Sequence, residues 1–155
     1  MSTELSRLSE LAKADTTTRF LSMAHRLTPA ALMAAFEGLR KDASAGVDEV
    51  THREYEQDVW RNIPTLHHRL VSHQYRAQPL RRVYIPKENG TERPISIPAL
   101  EDKIVQKATV TVLNAIYEQD FLPCSYGFRP GLSAHDALDA IGRTIESIPF
   151  VVEIR

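Results

Sequence analysis

Along this chain the apolar residues change period from helical to alternating and back, and each change marks an element. Leu5, Leu8 and Leu11 recur at helical spacing and predict a helix over 3–13. Phe20, Met23, Ala24 and Leu27 predict a second over 16–27. Thr28-Pro29 suits the start of a third, because threonine caps free N–H groups and proline is pre-shaped for the first helical position. That helix is expected from Ala30 to about Lys41, ending in the small-residue loop Ala43-Ser-Ala-Gly46. Thr51 with Glu54 fits a capping box that opens a polar helix, interrupted at Pro64 and resuming to about His73.

The period then shortens to two. Leu80–Pro86 and Glu92–Ile97 read as strands around Asn89-Gly90, a pair that favours a tight two-residue hairpin turn. A long helix from about Glu101 to Glu118 is expected to bury Ile104, Val105, Ala108, Val112, Leu113 and Ile116. Residues 121–132 form a loop rich in Gly, Pro and aromatics. Ser133 and Asp136 cap a helix to about Ser147, and Pro149–Ile154 reads as an apolar strand. The fold class is therefore α+β: a helical N-terminal part, a small antiparallel sheet, two helices and a terminal strand.

At 155 residues, with 43% hydrophobic and 25% charged residues, the chain suits one domain with a real core and is too apolar for wholesale disorder. No apolar run approaches the ~20 residues of a membrane span. The start, Met1-Ser-Thr-Glu-Leu-Ser, lacks the basic-then-apolar order of a secretory signal. The single cysteine, Cys124, excludes an internal disulfide and any multi-cysteine metal site. A cytoplasmic protein is the simplest reading.

Net charge is −1, but unevenly spread. Residues 1–60 hold 7 Lys/Arg against 10 Asp/Glu (net −3), residues 61–93 hold 7 against 2 (net +5), and residues 94–155 hold 5 against 8 (net −3). The basic block comprises Arg61, Arg69, Arg76, Arg81, Arg82, Lys87 and Arg93, with His67, His68 and His73 among them. Such a block attracts phosphate backbones, and on charge alone it is equally a solvated helix face followed by a solvated strand. Lys87 and Arg93 stand on opposite arms of the hairpin, where two permanent cations can hold a polyphosphate. Adjacent in a helix, His67 and His68 diverge and form no metal face. Asp102 and Gln106 share a helix face, and Asp102 in the first turn is explained by the helix dipole.

Taken in order, Arg81-Arg-Val-Tyr-Ile-Pro-Lys87-x-x-Gly90-x-x-Arg93-Pro-Ile-x-Ile-Pro98, Asp102-Lys-Ile-Val-Gln106 and Ser125-Tyr-Gly-Phe-Arg-Pro-Gly131-x-Ser133-Ala-His-Asp-Ala-Leu138 closely resemble group II intron reverse transcriptases, the intron-encoded maturases. Ser44-Ala-Gly46-Val-Asp48 resembles the loop before the fingers in that family. The resemblance runs from about residue 28 to residue 153. It implies an N-terminal extension over 1–27, a fingers region over 28–149 and the start of the palm over 150–155. It further implies that Lys87 and Arg93 grip the triphosphate of an incoming nucleotide, and that Gly46 and Asp48 lie near the template strand. Arg81 and Arg82 would contact RNA. Ser125–Gly131 would shape the floor under the templating base, with Arg129 reaching a phosphate or base. Tyr126 and Phe128 serve equally as stacking platforms or as apolar plugs beneath the loop.

The family's magnesium ions are held by palm aspartates, the first just after a strand like Val151-Val-Glu153, the others in an Asp-Asp pair further on. The strand here reads Val151-Val-Glu-Ile-Arg155, and the sequence holds no Asp-Asp pair. The expectation is a fragment cut at the first palm strand, binding RNA template and deoxynucleoside triphosphate but lacking catalytic and metal-binding residues. Such a chain would not polymerise DNA by itself, and no sequence feature supports a palm supplied by a separate chain. The alternatives are a non-catalytic RNA-binding module and a non-functional remnant.

Overall fold

Where the local sequence carries its own capping chemistry, the elements form where the periodicity puts them. The structure, a computed structural model, describes residues 3–15 and 17–147. Six helices and one two-stranded antiparallel sheet occur among the described residues: α1 (Thr3–Ala14), α2 (Pro29–Glu37), α3 (His52–Gln57), α4 (Val59–Val71), β1 (Arg81–Pro86), β2 (Glu92–Ile97), α5 (Leu100–Tyr117) and α6 (Ala134–Ser147). The fold is α+β. The expected strand over 149–154 and the expected palm start over 150–155 lie outside the described residues. No described helix is long and apolar enough to cross a membrane.

The chain divides into two units, residues 19–114 and residues 1–18 with 115–155. In the larger unit the Thr28 hydroxyl accepts the Ala31 N–H at 3.2 Å, with Pro29 in the first turn, and α2 begins there as expected. Thr51 and Glu54 form the full capping box at the start of α3. The core joins Leu32, Ala35 and Phe36 of α2 to Tyr55 of α3, to Val59, Ile63 and Leu66 of α4, and to Leu100, Ile104 and Ala108 of α5. Val59, Ile63 and Leu66 fall at helical spacing, so α4 needs only one apolar stripe to dock.

Three expected features differ. The helix expected over 16–27 does not form among the described residues 17–27, where a single 3-10 turn, Ala24–Arg26, is present. Asp15 Oδ1 accepts both the N–H and the hydroxyl of Thr17, at 2.8 and 2.7 Å, which diverts the backbone before β-branched threonines could nucleate a helix. The polar helix after Thr51 breaks at Asp58 rather than Pro64, which lies inside α4. Pro64 faces solvent, so water can satisfy the Trp60 carbonyl that its missing N–H leaves free. The α2 helix also ends early, at Glu37, with Gly38 as its cap.

The first turn of α5 ties down what precedes it. Asp102 is buried and accepts the Tyr75 hydroxyl and, at 3.0 Å, the Gln78 N–H. Glu101 accepts Arg69 at 2.5 Å and the Tyr55 hydroxyl at 3.4 Å. The helix-dipole account of Asp102 is thus incomplete, since its carboxylate fixes the chain that enters β1. Gln106, one turn on, is exposed and shares none of this. Next to the same turn, the loop after α2 comes so close that a Cβ on Gly46 would sit 2.5 Å from the Ala99 Cα and 2.7 Å from the Pro98 carbonyl oxygen.

In the smaller unit, α1 buries Leu8 and Ala12, and Gln119 donates to Ser9 Oγ at 2.8 Å. Ser133 and Asp136 form the expected reciprocal cap of α6. Along α6, Leu138, Ile141 and Ile145 are exposed.

Two outcomes follow. Gly46→Ala must displace backbone rather than a side chain, so it should lower unfolding stability by about 1–3 kcal/mol in a urea titration, with Ala45→Gly as a near-neutral control. Tyr75 and Tyr55 both have hydroxyl pKa values raised by burial first, then by bonding to Asp102 and by the charge of Glu101 respectively. Their favourable burial is complete below the ordinary tyrosine value of about 10 and is lost as pH rises beyond it. Melting temperature should therefore fall above about pH 10, and less steeply in Tyr75→Phe. Lys103, whose pKa burial lowers, acts in the opposite sense, so the comparison with the variant is the decisive measurement.

Candidate nucleic-acid interface

The hairpin is built on strict pairing: Arg81 opposite Ile97, Val83 opposite Ile95, Ile85 opposite Arg93 and Pro86 opposite Glu92. The Lys87 N–H continues the ladder to the Thr91 carbonyl at 2.8 Å, and the Gly90 N–H closes a turn onto the Lys87 carbonyl at 3.0 Å. The turn therefore has three residues, Glu88, Asn89 and Gly90, not the two expected. Only Gly90 has positive φ, +77°. Asn89 is not needed in a left-handed conformation, and its side chain instead accepts the N–H and hydroxyl of Thr91, at 3.2 and 2.7 Å.

Alternation along this register sorts the side chains. One face carries Arg81, Val83, Ile85 and Lys87 on the first arm, with Arg93, Ile95 and Ile97 on the second. The other carries Arg82, Tyr84, Pro86, Glu92, Pro94 and Ser96. The first face holds three cations and no carboxylate, whereas the second pairs one of each sign. No ion pair engages Arg81, Lys87 or Arg93 among the described residues. Val83, Ile85 and Ile95 are 36%, 47% and 36% exposed, so the cations frame an apolar surface open to solvent.

That face lines a groove of about 440 Å³ with Ala43, Ser44, Pro98 and Lys103. Lys103 Nζ donates to the Ser44 carbonyl at 2.6 Å. Its pKa is lowered chiefly by burial and then by the charge of Arg81, against an opposing pull from Asp48. Sequence reasoning passed over Lys103 because it lies in a helix far along the chain. The structure brings it beside the first residue of β1.

The other sequence-derived positions are placed as follows. Arg82 lies on the opposite hairpin face with Tyr84. Gly46 is buried against the 98–99 backbone, and half-buried Asp48 has Oδ1 3.4 Å from the Val50 N–H it caps. Tyr126, Phe128 and Arg129 belong to the smaller unit. Tyr126 is half-buried, whereas Phe128 is fully exposed at a φ of +59°, so it plugs nothing. Arg129 is committed internally: it donates to Glu118 at 2.6 and 2.8 Å and to the Ser125 and Leu122 carbonyls at 2.8 and 3.2 Å, and it lies over the Phe121 ring. Its guanidinium holds the 121–129 loop in shape.

His52 was not singled out from sequence. It is buried, stacks on Phe36 at 4.2 Å and 13°, and has no hydrogen-bond partner for Nε2 among the described residues. No group of three or more His, Cys, Asp or Glu residues is placed to hold a metal among them.

No protein-family model matches the chain. Protein YkfC of Escherichia coli (strain K12) is 44% identical over 96 residues, 62% of this chain and 25% of YkfC. The group II intron-encoded protein LtrA of Lactococcus lactis subsp. cremoris is 44% identical over 80 residues, 51% of this chain and 13% of LtrA. An uncharacterized 91 kDa protein in the cob intron of Schizosaccharomyces pombe is 40% identical over 84 residues, 54% of this chain and 10% of that protein. The matches thus span a quarter or less of each relative's length. Over about half its own length, this chain is a relative of the group II intron-encoded proteins.

Proposed function

We propose that this chain is the fingers region of an RNA-directed DNA polymerase of the group II intron type, holding RNA template and an incoming deoxynucleoside triphosphate. The observation that carries this reading is the hairpin face on which Arg81, Lys87 and Arg93 stand without a carboxylate among them. Lys87 and Arg93 flank the turn on that face, where ammonium and guanidinium make charge-assisted bonds to a polyphosphate. Such bonds also neutralise charge that builds up on a transferring phosphoryl group. The loop bearing Gly46 and Asp48, whose Ser44 lines the groove, lies where a template strand would pass. Arg82 with Tyr84 extends the cationic surface to the other hairpin face. In the smaller unit, Phe128 offers an exposed ring for base stacking, with half-buried Tyr126 two residues before it, and Arg129 shapes the loop that presents it.

The test is binding of a labelled structured RNA, titrated from about 50 to 200 mM salt, alongside binding of a deoxynucleoside triphosphate. Wild-type affinity for RNA should fall steeply with salt. The Lys87→Ala/Arg93→Ala variant should lose triphosphate binding by about 1.5–3 kcal/mol per lost charged bond, roughly tenfold to a hundredfold each. A folded, monomeric chain with no RNA affinity at the lowest salt would refute the proposal.

A further inference from the structure

The hairpin has two outer edges, and they are not alike. The Lys87 N–H donates to the Thr91 carbonyl, which makes 87 and 91 a hydrogen-bonded pair. Such pairs recur at every second position of an antiparallel ladder, so Ile85–Arg93, Val83–Ile95 and Arg81–Ile97 turn their backbone groups inward. The pairs between them turn theirs out. Arg82 and Tyr84 therefore point N–H and carbonyl groups away from β2, and no described residue bonds to them. On β2 the outward positions are Glu92, Pro94 and Ser96. Proline has no N–H, so Pro94 removes the middle donor and closes that edge to a further strand. The edge of β1 stays open.

A two-stranded sheet is marginal by itself, and both faces of this one are largely exposed. We infer that β1 pairs antiparallel with β1 of a second copy of this chain, about a two-fold axis at Val83, to form one continuous sheet. The occupant follows from the match of this edge with itself. Centred on Val83, each Arg82 stands opposite Tyr84 of the other copy, and the two exchange both N–H···O bonds. Side chains directly opposite share a face, so the Arg82 guanidinium lies beside the Tyr84 ring as a cation–π pair, and the axis repeats it. On the other face Val83 meets Val83, and Arg81 meets Ile85. The Arg81 residues of the two copies stay roughly 13 Å apart along the strands, at ~3.3 Å per residue.

Neighbouring registers are worse. Centring on Arg82 sets the two Arg82 side chains directly opposite each other. Centring on Tyr84 sets the Arg82 carbonyls against Pro86, which has no N–H to offer. A slip by one residue would match outward groups with inward ones. Because Pro94 closes the far edge of each copy, the sheet grows no further and the assembly closes as a dimer. Its two cationic faces then lie on one side of the sheet, since opposite residues share a face.

The experiment measures molar mass by sedimentation equilibrium over a wide dilution series, for wild type, Val83→Lys and Tyr84→Pro. Tyr84→Pro deletes a donor that takes no part in the β1–β2 ladder, and Val83→Lys apposes two ammonium groups at the axis. Each should raise the dimer dissociation constant about tenfold or more. Register is read separately by oxidative cross-linking of Arg82→Cys, Val83→Cys and Tyr84→Cys, each in a Cys124→Ser background. Val83 faces itself in a non-hydrogen-bonded pair, with Cα atoms about 4.5 Å apart and within disulfide reach, so Val83→Cys should cross-link fastest. A monomer at every concentration would overturn the inference. A dimer that persists in both edge variants, or that cross-links best at position 82 or 84, would do the same. If an edge variant unfolds, the cysteine chains decide, because they leave the backbone donors of β1 in place.

Discussion

Three consecutive residues in the first turn of α5 tie the larger unit together. Glu101 takes Arg69 of α4 and Tyr55 of α3, Asp102 takes Tyr75 and the Gln78 backbone, and Lys103 takes the Ser44 carbonyl. Apolar packing of α2, α4 and α5 supplies the cohesion, but it is non-directional and leaves connecting segments free to slide. The three polar ties remove that freedom. They set where the chain enters β1 and where the loop after α2 rests, and Gly46 permits the last approach because nothing larger fits against Ala99. The groove wall is a consequence of this arrangement, since one side is the hairpin and the other is the tied loop with Lys103.

The same ties explain how a chain of net charge −1 presents a strongly positive face. Several carboxylates of the larger unit are engaged elsewhere. Glu101 and Asp102 face the α4 side and the Tyr75 segment, and Glu54 is held in its capping box by Thr51. Commitment to internal donors keeps these acids from swinging across to neutralise Arg81, Lys87 or Arg93. Hairpin alternation then does the rest. Glu92 has the wrong parity, so it points away from the cationic face, and a one-residue slip of register would exchange the two sets.

What could be read from sequence was local. The Thr28-Pro29 start, the Thr51/Glu54 and Ser133/Asp136 boxes and both strands depend on residues within a few positions of one another, and each formed as its chemistry required. Errors arose where a competing local bond or distant packing intervened. Asp15 outbid a helix at Thr17, and the core stripe of Val59, Ile63 and Leu66 carried α4 through Pro64. Candidate-site residues divide along the same line. The shared face of Arg81, Lys87 and Arg93 follows from alternation once the register is known. Lys103 lies beyond the hairpin in sequence, and its place beside Arg81 depends on the tie to Ser44, 59 positions away.

Arg129 shows why residue type and motif alone do not give a role. By resemblance it would reach a phosphate or base. The folded loop gives it Glu118, two carbonyls and the Phe121 ring, a set that satisfies a planar guanidinium on several edges at once. Breaking those contacts to reach a phosphate would leave Glu118 and both carbonyls without their donor, so the favourable arrangement keeps Arg129 inside. The exposed group is its neighbour, and the left-handed backbone at Phe128 turns the ring outward while the next residue stays anchored. In this loop the cation holds the backbone in shape and leaves the aromatic ring exposed, the arrangement on which the proposed stacking role of Phe128 rests.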